Sequence, residues 1–153
     1  MSGGSDDELR DSAAAPAAEA QAPSRRIALG LSYDGSGFSG WQVQPDARTV
    51  QATLEAAVAA IAAHPVRVAC AGRTDAGVHA LAQVAHFDTT ARRPASAWVR
   101  GVNAGLPPDV AVHWAREVPA GFDARYSAIE RCYRYVLLES PVRAPLWRNH
   151  AGW

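Results

Sequence analysis

The stretch Ile27-Ala28-Leu29-Gly30-Leu31-Ser32-Tyr33 is the first of six elements whose order along the chain predicts the fold. Its large apolar side chains alternate with small residues, which is the two-residue period of a β-strand with one buried face. The small residues leave room for packing on the second face. This stretch therefore predicts a strand that begins near residue 25.

Five further elements follow this strand. Thr49 can cap a helix that continues to about Ala63 with apolar residues at nearly helical spacing, and Pro65 ends it. The rest of the pattern predicts strands at 66–71 and 81–87, a helix at 95–104 and a strand at 110–115. The order βαββαβ is that of ferredoxin-like folds, which RRM domains share. We therefore predict an α+β unit with an antiparallel or mixed sheet.

Composition divides the chain into three parts. Residues 1–24 are rich in Ala, Ser, Asp, Glu and Pro and contain no aromatic residue, which predicts a disordered acidic tail. Residues 25–126 form the predicted α/β unit, which would carry the catalytic residues of an enzyme. Residues 127–153 contain a strand-like alternation over 131–139 and then end, so we expect the beginning of a second, truncated unit.

The overall composition is that of a soluble globular protein, with 48% hydrophobic and 20% charged residues. No apolar run approaches the roughly 18 residues of a membrane helix, and no secretory signal is recognisable, which favours the cytoplasm. The two cysteines, Cys70 and Cys132, are predicted to be buried free thiols. The five histidines show no metal-ligand spacing, so we expect no metal site.

The net charge of zero conceals an asymmetry. Residues 1–24 hold five acidic residues and one arginine, and the remainder holds ten acidic residues and fourteen arginines. Every basic residue is arginine, which suits phosphate binding and stacking on bases. Six arginines could line an RNA cleft, although each taken singly is more typical of surface charge: Arg92, Arg93, Arg100, Arg125, Arg131 and Arg134.

One short segment combines a carboxylate, a guanidinium and two glycines: Gly72-Arg73-Thr74-Asp75-Ala76-Gly77-Val78-His79. Glycines allow close approach to a ligand, and an arginine near Asp75 favours the ionised carboxylate that a nucleophile or general base requires. An Asx-type turn with a surface ion pair explains the same residues. The chemistry alone leaves both interpretations open.

This segment resembles the catalytic signature of the TruA-type tRNA pseudouridine synthases. Four other stretches resemble segments of that family in the same order: 33–42, 49–51 followed by Leu54 and Glu55, 83–87 and 131–135. The resemblance extends from about residue 26 to the end of the chain.

The resemblance implies an isomerase that converts uridine to pseudouridine at positions 38, 39 and 40 of the tRNA anticodon stem and loop. It implies Asp75 as the catalytic nucleophile and Tyr133 as a substrate-contacting residue, in a reaction that needs no cofactor and no metal. Arg73, two residues before Asp75, could bind substrate in the pocket, and a phosphate contact or a structural ion pair would explain it as well. The family's full-length members work as homodimers on tRNA and continue through a second unit. This chain therefore resembles an N-terminal fragment.

Three alternatives remain open at this point. The chain could be a non-catalytic RNA-binding module, or an inactive truncated remnant, on the same fold. A small hydrolase that uses Asp75 and His79 is a further alternative, although no third orienting group is evident. His79 and His86 are predicted to be hydrogen-bonded residues outside the site, and Trp41 is predicted to shield the core.

Overall fold

The structure, a computed structural model, describes residues 23–153 and contains one four-stranded antiparallel sheet. The elements are β1 (Arg25–Tyr33), α1 (Val50–Ala62), β2 (Ala69–Cys70), β3 (Ala80–Thr89), α2 (Ala95–Gly105) and β4 (Val110–Val118). The strand order is β2-β3-β1-β4. This arrangement confirms the predicted ferredoxin-like α+β unit. The predicted acidic tail lies almost entirely outside the described residues.

Strand β1 is at the centre of the sheet, where it pairs with β3 on one side and β4 on the other. Its residues Ile27, Leu29, Leu31 and Tyr33 are buried against both helices, because alternate side chains of a strand point to the same face. The apolar residues that they meet are Val50, Leu54 and Val58 of α1 and Trp98 and Val102 of α2. The alternation predicted from the sequence is thus confirmed.

Helix α1 begins and ends as its sequence predicts. The Ala52 amide donates to Thr49 Oγ1 at 3.4 Å, which caps the helix, and Ala63 ends it in the left-handed conformation at φ 60°. The loop that precedes it buries Trp41 in the core, as expected.

Strand β2 is shorter than predicted, with two residues in place of the six at 66–71. The reason lies in two side chains of α1. The Val68 amide donates to Glu55 Oε1 at 2.9 Å, and Gln51 Nε2 donates to the Val68 carbonyl at 3.1 Å. Because helix side chains satisfy both backbone groups of Val68, this residue makes no strand pairing.

The predicted strand at 131–139 is wrong. Within residues 23–153 the only strand pairing of this segment is an isolated bridge between Leu137 and Gly152. Tyr133, Tyr135 and Leu137 are 66%, 90% and 82% exposed, because no described element covers the face on which they alternate. The predicted burial of Cys132 is wrong for the same reason, whereas Cys70 is buried as expected. Burial raises the pKa of the Cys70 thiol to about 11.

The chain after β4 turns back across the sheet face opposite the helices; we call residues 119–131 the crossing segment. Arg26 Nη1 donates to the carbonyls of Ala120 and Phe122 at 2.8 and 2.7 Å, and the Ala124 amide donates to His86 Nδ1 at 3.1 Å. His86 is therefore a buried, hydrogen-bonded residue, as predicted, and burial lowers its pKa. No helix within residues 23–153 is long and apolar enough to cross a membrane.

Candidate functional site

The antiparallel sheet brings three loops to one end of the molecule. These are the loop that follows β1, the loop that precedes β3 and the loop that precedes β4. The first loop donates to the other two: the Asp34 amide bonds to the Asp109 carbonyl at 2.9 Å, and the Trp41 amide bonds to the Thr74 carbonyl at 2.9 Å. Residues 72–79, in the connection between β2 and β3, are called here the Asp75 loop. Because strands β1 and β3 are antiparallel neighbours, the end of one and the start of the other place these loops side by side.

Two glycines permit the close contact of the first loop with the Asp75 loop. A Cβ atom on Gly35 would lie 2.0 Å from the Val78 carbonyl oxygen. Gly40 has φ +93°, and a Cβ atom there would lie 2.8 Å from the Thr74 carbonyl oxygen. Only residues without a side chain fit at this distance, which explains why the sequence places glycines in this loop.

The backbone around Asp75 is fixed while its side chain is exposed. The Val78 amide donates to the Asp75 carbonyl, and the Gly77 amide donates to the Phe38 carbonyl, both at 3.2 Å. The Asp75 carboxylate is exposed on this anchored loop. Within the part of the chain that the structure describes, its ion pairs do not include one between Arg73 and Asp75. The backbone that carries the carboxylate is therefore anchored, whereas no hydrogen bond or ion pair among the described residues holds the carboxylate itself.

A cleft of about 570 Å³ opens beside this loop, between β2, the start of the loop and the crossing segment. Four arginines line it, and Asp123 is the one carboxylate among the residues of its lining. Hydrogen bonds from the Tyr126 and Arg125 amides lower the pKa of Asp123 and favour its charged form. The four arginines are Arg67, Arg73, Arg125 and Arg131.

The structure brings together two of the three predicted site residues. Arg73 and Tyr133 line the cleft, whereas Asp75 lies two residues beyond Arg73 and is not part of the described lining. Of the six arginines considered for an RNA cleft, Arg125 and Arg131 line it. Arg67 was missed, because no motif in the sequence marks it.

Arg131 closes the cleft by joining the crossing segment to the end of β2. Its Nε donates to the Ala71 carbonyl at 2.9 Å, and its Nη2 donates to the Arg125 carbonyl at 2.6 Å. Tyr133 comes next on the same side, with its hydroxyl 3.7 Å from the position of a Cβ atom on Gly72. The sequence singled out the stretch 131–135, but it gave no sign that Arg131 has this structural role.

The sequence also missed a buried polar group beneath the Asp75 loop. Gln83 on β3 bonds to both backbone groups of Gly72, and the Tyr33 hydroxyl lies 2.8 Å from Thr74 Oγ1. The only sign in the sequence is that a glutamine and a tyrosine occupy strand positions that face the core.

His79 is engaged away from Asp75. Its Nδ1 lies 3.0 Å from Asp34 Oδ1 and 3.1 Å from the Gly35 amide, and its ring stacks on His150 at 4.8 Å. The pKa of Asp34 is lowered by its hydrogen bonds with Ser36. These contacts do not support a catalytic pair of Asp75 and His79. Within residues 23–153, no three His, Cys, Asp or Glu side chains converge as metal ligands would.

The fold and the cleft define a ferredoxin-like α+β protein whose basic cleft suits a phosphate-bearing partner. Residues 31–127 match the family model described as tRNA pseudouridine synthase, and the chain belongs to this family. It is 59% identical over 128 residues to tRNA pseudouridine synthase A of Verminephrobacter eiseniae, an alignment that covers 84% of this chain and 47% of that relative.

Two further relatives carry the same name. The Polaromonas sp. protein (strain JS666) is 60% identical and the Coxiella burnetii protein (strain Dugway 5J108-111) is 56% identical, each over 128 residues and 84% of this chain. These alignments cover 48% and 49% of the two relatives. The chain thus spans about half the length of the curated relatives that it matches.

Proposed function

We propose that residues 25–126 are the catalytic unit of a tRNA pseudouridine synthase, an isomerase with Asp75 as its nucleophile, and that residues 127–153 begin a second unit. The observation that carries the proposal is a loop with an anchored backbone, whose first residues Gly72 and Arg73 line an arginine-rich cleft and whose Asp75, two residues farther on, is exposed. Membership of the family, argued above, supplies the reaction.

The reaction rearranges one nucleotide without adding or removing atoms. The N1–C1′ bond of uridine breaks, the uracil turns, and a bond forms between C5 and C1′, while the proton leaves C5 and N1 gains a proton. An ionised Asp75 oxygen can attack C1′, attack C6, or abstract a proton in an elimination route. Attack at C1′ parallels the covalent step of retaining glycosidases. We expect all three routes to proceed without a metal or an organic cofactor.

The cleft would bind RNA through its arginines and accommodate a nucleotide that has left the helical stack. Removal of a base from the stack costs a few kcal/mol, and stacking on an aromatic side chain returns roughly 1–3 kcal/mol. Tyr133 is exposed and lines the cleft, so it can supply this stacking contact. Arg73 lines the cleft two residues before Asp75, so it can contact the phosphate of the same nucleotide.

The remaining parts of the proposal depend on the family alone. We propose the tRNA anticodon arm as the partner, positions 38, 39 and 40 as the targets, a homodimer for the full-length form and the cytoplasm as the location. A non-catalytic RNA-binding module is the second candidate, because the arginine-lined cleft would serve it equally well.

The test compares Asp75→Asn with Asp46→Asn, an exposed acidic residue on the neighbouring loop that serves as matched control. Both variants are made in this chain, and in parallel in the chain continued by the C-terminal half of the Verminephrobacter eiseniae relative. The substrate is tRNA tritiated at C5 of uridine, because the reaction releases the C5 hydrogen. Binding of the same tRNA is measured separately.

We expect Asp75→Asn to abolish tritium release while tRNA binding changes by less than about twofold, and Asp46→Asn to leave both unchanged. Tritium release that persists in Asp75→Asn removes this residue from the chemistry. Binding without tritium release in every preparation, including the wild type, supports the RNA-binding module.

A further inference from the structure

Gly72, the first residue of the Asp75 loop, is held by the side chain of Gln83 just beyond the end of the pairing between β2 and β3. Strand β2 pairs with β3 through Cys70 and Ala85. Two residues farther on, Gln83 Nε2 donates to the Gly72 carbonyl at 2.6 Å, and Gln83 Oε1 accepts from the Gly72 amide at 3.4 Å. One side-chain amide therefore supplies both bonds that a neighbouring strand would otherwise make.

Tyr33 extends this arrangement to Thr74. Its hydroxyl lies 2.8 Å from Thr74 Oγ1 and 3.5 Å from Gln83 Nε2. Tyr33 and Gln83 are only 4% and 8% exposed, and burial raises the pKa of Tyr33, which favours the neutral hydroxyl. The buried side chains thus bond to the residues on both sides of Arg73. We call Tyr33, Thr74 and Gln83 the polar clamp.

The polar clamp matters because the Asp75 side chain makes no hydrogen bond or ion pair among the described residues. Its carboxylate can be held in place only through the backbone that carries it. A buried polar network whose groups all have partners specifies geometry more strictly than apolar packing does. A displacement of about 1 Å in a reacting group can reduce a rate about 100-fold.

We propose that Gln83, Tyr33 and Thr74 are positioning residues that fix the Asp75 carboxylate relative to the cleft. This inference rests on the proposed function, in which Asp75 reacts with the nucleotide. Gln83 bonds to the loop backbone at Gly72, Tyr33 bonds to the Thr74 side chain, and none of the three clamp residues is among those that line the cleft. Loss of the clamp should therefore lower kcat and leave the KM for tRNA nearly unchanged, whereas loss of a purely structural contact should lower the stability of the whole sheet.

The experiment uses two clamp variants with matched controls. Gln83→Glu removes the donor to the Gly72 carbonyl and places a carboxylate oxygen against it. Gln44→Glu makes the same change at an exposed position, where Gln44 Nε2 donates to the Ser39 carbonyl at 2.8 Å, and so controls for the loss of an exposed hydrogen bond. Thr74→Val removes the hydroxyl at constant shape, and Thr74→Ser keeps the hydroxyl. The second pair serves if the buried charge of Gln83→Glu prevents folding.

Two readouts are taken for each variant: tritium release with kcat and KM separated, on the preparations described above, and amide hydrogen exchange on this chain. We expect kcat to fall about 10- to 100-fold in Gln83→Glu and Thr74→Val, with KM changed by less than about threefold. We expect the amides of residues 72–78 to exchange about tenfold faster while those of β1 and β4 stay as in the wild type. Thr74→Ser and Gln44→Glu should remain within about threefold of the wild type.

Three results overturn the proposal. They are unchanged amide exchange at residues 72–78 in Thr74→Val, faster exchange over the whole sheet, and a kcat that stays at the wild-type value while the loop exchanges faster. If the wild type itself releases no tritium, the proposed function fails. The exchange data then decide separately whether the clamp holds the loop, and faster exchange confined to 72–78 supports that part.

Discussion

Replacement of Gly35 by alanine tests whether the first loop and the Asp75 loop are packed as tightly as the structure indicates. The new Cβ atom would lie 2.0 Å from the Val78 carbonyl oxygen and 2.5 Å from the Val78 carbonyl carbon. Ordinary contacts begin near 3.4 Å, so the carbonyl would have to retreat by about 1.4 Å. The obstacle is backbone and cannot move aside as the end of a side chain can.

The cost follows from this overlap. Insertion of one methyl group into a packed site costs about 1–3 kcal/mol, and a backbone obstacle places Gly35→Ala at the upper end of that range. At about 2–4 °C per kcal/mol for a chain of this size, the melting temperature should fall by about 6–12 °C. The damage should be local to the loops, because Gly35 lies just beyond the end of β1.

Three other glycines separate the contributions to this cost. Gly77 has φ +78° and no atom within 4 Å of the new Cβ, so Gly77→Ala should cost only the roughly 1–2 kcal/mol of a left-handed backbone. Gly40 has both a positive φ and a close backbone oxygen, so Gly40→Ala should cost more than Gly77→Ala. Gly121 has neither, and Gly121→Ala should be neutral or stabilising by up to about 1 kcal/mol.

The assay is thermal unfolding followed by far-ultraviolet circular dichroism for all four variants at one protein concentration. We expect Gly35→Ala and Gly40→Ala to melt lowest, then Gly77→Ala, then Gly121→Ala. A Gly35→Ala variant that melts within about 1–2 °C of Gly121→Ala would show that the two loops are not in contact at this position, and the anchoring of the Asp75 loop would have to be explained differently.

Three further predictions concern stability and reactivity. Bidentate hydrogen bonds from Arg26 lower the pKa of Asp88, so this pair stabilises the fold above the unfolded pKa of about 3.9 and is lost as the pH falls through the folded value. As the pH is lowered from about pH 5 to pH 2, the melting temperature of Asp88→Asn should therefore fall less than that of the wild type. Melting temperatures that fall in parallel in the two proteins refute the ion pair. Cys132, which is exposed, should react with a thiol reagent in the native chain, and Cys70 should react only after unfolding. If both thiols react in the native chain, Cys70 is not buried. Thr49→Ala should cost about 1 kcal/mol by loss of the α1 cap, whereas Thr49→Ser should not; equal melting temperatures for the two refute the cap.

The elements that the sequence predicted correctly are those whose signals are local. The alternation in β1 and the Thr49 cap of α1 are each contained within a few consecutive residues, and the structure confirms both. An alternating strand tells which face is buried, and a capping residue tells where a helix begins. Neither requires knowledge of a distant partner.

The two wrong strand predictions, at 66–71 and at 131–139, have a common cause: both depend on partners that are distant in the sequence. The backbone of Val68 is satisfied by Gln51 and Glu55 of α1, so the strand pattern at 66–71 gives only two strand residues. The alternating pattern around Tyr133 and Tyr135 shows which side chains would share a face of a strand, but it does not show which neighbouring strand would pair with that strand. Alternation alone cannot supply the neighbouring strand on which a β-strand depends.

The sequence predicted which residue types form the candidate site, but not how the fold brings them together. The sequence marked Asp75, Arg73 and Tyr133, and the structure places Arg73 and Tyr133 on one cleft. The sequence suggested an Arg73–Asp75 ion pair, which is not among the described ion pairs, and it gave no sign of the cleft wall formed by the crossing segment or of Gln83 beneath the loop. These features depend on which side chains meet after folding.

The bond from Arg131 to the Ala71 carbonyl joins residues 60 positions apart in the chain. During synthesis the sheet, which ends at Val118, emerges before Arg131 does. The cleft wall should therefore be assembled last, on a sheet that is already formed. A nascent chain would hold a folded scaffold before it holds the arginine-lined cleft.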